Sequence, residues 1–215
     1  SFWMDSELPP VLPLASPPAP WKSRTWLFDV LGLAGAAMLG FLVVVGAGAL
    51  FELTAKEQPL SANDKAALLT IEDVALWMED FAPDKSLESF SKKKYLDGSY
   101  EIDYEFEDSS DDAAPYVMCS IAVEQKTSDA LISYKAMQAG LNIGFGAEEG
   151  VKQVERNDLF KWGDASKFCL LESEGMLVGV VFSARKETRV FLITISGVYF
   201  DDSAEIEELL GERLR

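Results

Sequence analysis

Histidine is absent from all 215 residues. That removes the commonest metal ligand and the commonest general base near neutral pH. Cysteine is nearly absent: Cys119 and Cys169 lie far apart and neither belongs to a CxxC, so the usual zinc and redox spacings are missing. In an oxidising compartment the two could form one disulfide; the equal alternative is two inert buried thiols. Basic residues are scarce, 19 Lys and Arg against 36 Asp and Glu, a formal net charge of −17. Such a charge keeps a domain soluble and repels nucleic acid and anionic headgroups. Glycine-rich nucleotide signatures are missing too. Gly144-Phe145-Gly146 does not complete G-x-G-x-x-G, because position 149 is Glu, and it follows a helical pattern rather than a strand.

What the chain does have is one long apolar run. Val30 to Phe51 holds no charge and no strongly polar side chain over 22 residues. As a helix rising ~1.5 Å per residue it would reach about 33 Å, enough for a hydrocarbon core of ~30 Å. The expected organisation follows: a proline-rich tail (1–25), a transmembrane helix (26–52), a juxtamembrane linker (53–69) and an acidic α+β domain (70–215). Ala47-Gly48-Ala49 passes as a cleavage site, but the run exceeds a normal signal-peptide core, so the reading is a signal anchor. Lys22 and Arg24 lie 8 and 6 residues before Val30, and Lys56 and Lys65 lie 5 and 14 residues after Phe51, a nearly balanced signal with the shorter mean distance on the amino side. That places the tail on the cytoplasmic side and the domain outside, in a periplasm, a lumen or the exterior. Trp21, Trp26 and Phe28 suit the membrane interface. Gly32, Ala36 and Gly40 recur every four residues, a small-residue stripe against which other transmembrane subunits can pack.

Beyond the span, residues 52 to 215 carry 33 acidic and 17 basic side chains, a formal −16, so nearly all the net charge sits on one side of the membrane. Thr70 with Glu72 and Asp73 opens a helix whose apolar face is Val74, Trp77, Met78 and Phe81. Asp97-Gly98 signals a tight hairpin. After it, Tyr100, Ile102, Tyr104 and Phe106 alternate with Glu101, Asp103, Glu105 and Glu107: a strand with aromatics inward and acids outward. With a two-residue loop, Lys94 faces Glu101 and Lys92 faces Asp103. The acidic row is then a solvated surface or a docking face for a basic partner. A second strand runs from Tyr116 to Glu124. Thr127 or Ser128 caps a helix to about Leu141, with Leu131, Tyr134, Gln138 and Leu141 along one side. Strands follow at 151–155, 167–172, 176–184 and 189–196, the last three as an antiparallel meander. Asp202 and Ser203 cap a final helix with Ile206, Leu209, Leu210 and Leu214 inward.

The expected fold class is therefore α+β, one antiparallel sheet flanked by helices behind a single membrane span. In element order, residues 70 to 215 resemble the PsbP-like α-β-α sandwich, whose members are mostly assembly or accessory factors. The resemblance carries no site residue. Asp108 to Asp112 is a solvated loop or a collector of Ca²⁺. No catalytic residue, cofactor or metal is expected. The reading is a non-catalytic accessory subunit of an integral-membrane complex; the alternative is a membrane-tethered ligand-binding or sensor module.

Overall fold

Alternating apolar residues over short stretches favour strands, and the sheet they form dominates the domain. The computed structural model describes residues 55–78, 81–110, 114–147, 150–200, 202–211 and 213–214. The span at 30–51, with Gly32, Ala36 and Gly40, lies outside them. Among the described residues, no helix is long and apolar enough to cross a membrane.

Eight antiparallel strands form one sheet: β1 (Lys56–Glu57), β2 (Glu88–Lys94), β3 (Tyr100–Phe106), β4 (Tyr116–Val123), β5 (Val151–Glu155), β6 (Ala165–Ser173), β7 (Met176–Lys186) and β8 (Arg189–Ser196). Their spatial order is β1-β2-β3-β4-β8-β7-β6-β5, two meanders joined where β4 pairs with β8. Helices α1 (Ala62–Ala67), α2 (Ile71–Ala75) and α4 (Ser203–Gly211) belong to the larger core, and α3 (Thr127–Ala147) to the smaller one. The fold class is α+β, as expected.

Alternation assigns the two cores. On β4, Val117, Cys119 and Ile121 enter the larger core and Tyr116 and Met118 the smaller one. Phe168, Phe182, Ile193 and Tyr104 fill the larger core, closed by Ile206, Leu209, Leu210 and Leu214 at the C-terminus. The last helix therefore buries the predicted stripe. Asp202 caps it, its Oδ1 accepting from Ala204 N at 2.7 Å.

Three expectations need correction. The segment 53–69 is not merely a linker, because β1 adds an edge to β2 and α1 follows. A capping box starts α1: Asp64 Oδ2 accepts from Ser61 N at 2.8 Å, and Ser61 Oγ accepts from Asp64 N at 3.1 Å. The helix expected to run on to Phe81 ends at Ala75, although Trp77, Met78 and Phe81 still pack on the core. Helix α3 continues past Leu141 to Ala147. Glycines normally weaken a helix, but α3 runs through Gly140 and Gly144, both on its buried side. That side is Ala130, Met137, Leu141 and Phe145, and Leu131 faces outward.

Short helices need tertiary partners for their first N–H groups. Ile71 N, at the start of α2, donates to the buried Tyr104 hydroxyl at 2.8 Å. Replacing Tyr104 by Phe should leave that donor unsatisfied and cost about 1–3 kcal/mol. Urea unfolding checks this, and an unchanged midpoint would remove the bond from the account.

Candidate functional site

The acidic row on β3 is the first candidate, and the structure changes its character. The hairpin loop has three residues, Leu96 to Gly98, with Gly98 at φ +92° and Tyr95 opposite Ser99 through a 2.9 Å backbone bond. This is the longer Gly-closed hairpin rather than the two-residue turn. The pairing therefore slips by one: Lys93, not Lys94, opposes Glu101, and Ser91, not Lys92, opposes Asp103. A one-residue slip moves every side chain of the partner strand to the other face. Lys92 instead pairs with Asp64 at 2.7 Å and lies over the Tyr100 ring.

The even-numbered face enters the core as expected. The odd-numbered face is not an exposed row, because Glu101 is only 6% exposed and Asp103 is partly buried. Glu101 Oε2 accepts from the Tyr95 hydroxyl at 2.9 Å and Oε1 from Ser120 Oγ at 3.2 Å. Asp103 Oδ2 accepts from Ser91 Oγ at 3.0 Å. Burial, and then the neighbouring Asp103, push the Glu101 carboxyl up to about 8, against the pull of Tyr95, Ser120 and Lys93. Burial raises Asp103 as well, opposed by Ser120, Ser91 and Lys93. Burial therefore pushes both carboxyls toward the neutral form, and the charge of Asp103 adds to the effect on Glu101. Farther along, the Tyr116 hydroxyl donates to Glu105 Oε1 at 3.1 Å, and Glu107 is raised by burial and by Glu105. Glu101 has no surface to offer a basic partner.

Cys119 and Cys169 are both buried free thiols. β8 and β7 lie between their strands, so three spacings of ~4.8 Å separate them by about 14 Å, beyond disulfide reach. Leu69 N donates to Cys119 Sγ at 3.4 Å, and burial pushes the Cys119 thiol up to about 12. A thiol held that high is a poor nucleophile.

Among the described residues no group of acidic or cysteine side chains is arranged to hold a metal ion. In the 108–112 loop, Asp108 Oδ1 accepts from Ser110 N at 2.9 Å, while Asp111 and Asp112 lie outside the described residues. The tail at 1–25 lies outside them as well.

Two concave places open on the larger-core side. A groove of about 880 Å³ runs between α2 and α4 past Leu76, Trp77, Glu207 and Glu208. A recess of about 360 Å³ lies between α1 and the sheet, lined by Tyr100, Ile102, Ile121, Val123, Phe191 and Arg189 together with Asp64 and Arg213.

The outer side of α3 is the feature the sequence reading missed. Ile132 is 67% exposed and Ile143 64% exposed, and Ala136 and Ala139 lie between them in the same stripe. Positions i, i+4, i+7 and i+11 share one helix face over about 16 Å. The signal was present, since α3 is apolar on both sides, but one face had already been assigned to the core. Comparisons with protein-family models, curated proteins and solved structures found no match to this chain.

Proposed function

We propose that this chain is a non-catalytic accessory subunit of an integral-membrane complex. Residues 30–51 anchor it, the tail stays on the cytoplasmic side and the acidic domain stands outside. The observation that carries the reading is the exposed apolar stripe of α3, Ile132 to Ile143, opposite a side that is already buried. A surface helix normally turns charged residues to water, and a contiguous apolar patch marks an interaction surface. The small-residue stripe Gly32, Ala36 and Gly40 gives the span a face for neighbouring helices, which supports the same reading. The partners are transmembrane subunits, one of which presents an apolar surface to α3. Nucleic acid is not among them, given the charge.

The test extracts the full chain from its native membrane in mild detergent and sizes it by light scattering. The expected result is a particle containing a second membrane subunit in fixed ratio. The double variant Ile132→Lys/Ile143→Lys should release that subunit while keeping the wild-type melting temperature. A wild-type chain running alone, or a double variant that keeps its partner, overturns the proposal.

A further inference from the structure

The recess between α1 and the sheet differs in charge from its surroundings. Its floor is Ile102, Ile121 and Phe191, all buried, and Tyr100 and Val123 stand at its sides. Three charged side chains line it. Asp64 is committed to Lys92 at 2.7 Å. Arg213 is committed to the Ala66 carbonyl at 2.9 Å and to Asp73. Arg189, the first residue of β8, is held by its backbone between β4 and β7, and its side chain makes no ion pair or hydrogen bond with any described residue. Of the three charged side chains that line the recess, Arg189 is the one whose charge no described ion pair offsets.

We propose that this recess binds a small organic carboxylate with an apolar or aromatic body. The guanidinium of Arg189 supplies a planar pair of N–H donors that matches a carboxylate in bidentate geometry. The body lies against the apolar part of the lining, Tyr100, Ile102, Ile121, Val123 and Phe191. A volume of about 360 Å³ falls at the lower end of small-ligand sites. Neutral apolar molecules would leave Arg189 unpaired, and dianions would meet Asp64 and the acidic surroundings, so a single negative charge fits best. This inference is independent of α3 docking, because the recess and the α3 stripe belong to opposite faces of the sheet.

Isothermal titration of the full chain in nonionic detergent tests it, with 3-phenylpropionate as the probe and 3-phenylpropionamide as the neutral control. The acid should bind saturably at one site per chain, with the amide at least tenfold weaker. Arg189→Met should weaken the acid at least tenfold and abolish its preference over the amide, and Arg189→Lys should retain part of it. Arg189 is exposed, so Arg189→Met should melt at the wild-type temperature, which separates lost binding from lost folding. No saturable heat at millimolar acid, or equal affinity in wild type and Arg189→Met, overturns the proposal.

Discussion

Glu101→Gln should raise the melting temperature at pH 9 and leave it almost unchanged at pH 5. The folded state holds the Glu101 proton up to about pH 8, against an ordinary carboxyl value of 4.5. Below 4.5 both folded and unfolded chains are protonated, and the neutral carboxyl sits comfortably among Tyr95, Ser120 and Asp103. Between 4.5 and 8 the unfolded chain gives up its proton and the folded chain keeps it, so stability falls as pH rises. Each unit of that gap is worth ~1.4 kcal/mol, so the full loss above pH 8 is on the order of several kcal/mol. Glutamine keeps the shape and the hydrogen-bonding capacity but cannot ionise, so that loss disappears. Asp103 also loses a like-charged neighbour, which adds to the gain at high pH. Circular-dichroism melts of wild type and variant at pH 5, 7 and 9 decide the matter. Parallel curves across that range would mean that Glu101 is hydrated rather than buried.

Gly179→Ala should cost about 3 kcal/mol, at the upper end of overpacking effects. Gly179 opposes Leu171 on β6 and Ser196 on β8, beside the register shift that leaves Val178 bulged. A Cβ there would run into the Ile195 carbonyl oxygen and come within 2.9 Å of Ser196 Cα. Both obstacles are backbone of a central strand, which cannot swing aside as a side chain would. Gly175 is the control: at φ +80° in the β6–β7 turn, an added Cβ meets nothing within 4 Å, so Gly175→Ala should cost only the ~1–2 kcal/mol of a left-handed backbone. Urea midpoints for the two variants should differ clearly. Equal midpoints would show that β7 and β8 do not approach closely at Gly179.

The strands and the final helix were legible because short-range patterns carry them. Tyr100, Ile102, Tyr104 and Phe106 enter the core as their alternation says, and Ile206, Leu209 and Leu210 do the same at helical spacing. The opposite side of β3 was not legible. Whether Glu101 meets water depends on Ser120 from β4 and on Tyr95 beyond β2, and loop length, not alternation, decides which lysine stands across from it. The extent of α3 was not legible either: a glycine weakens a helix by local propensity, yet α3 runs through Gly140 and Gly144 to Ala147. The recess draws its lining from α1, β3, β4, β8 and the C-terminal residues, so no window of neighbouring residues contains it.

The β4–β8 seam has a consequence for how the chain is made. Residues 116–123 must wait for residues 189–196 before their outer ladder can close. During synthesis, β4 therefore leaves the ribosome with one side unpaired until most of the remaining polypeptide has emerged. Pairings between such distant segments form slowly, and open strand edges attract other chains. A nascent chain stalled before Arg189 should thus be bound by chaperones and cut readily by protease. One stalled far enough downstream for β8 to clear the exit tunnel should be released by the former and resist the latter.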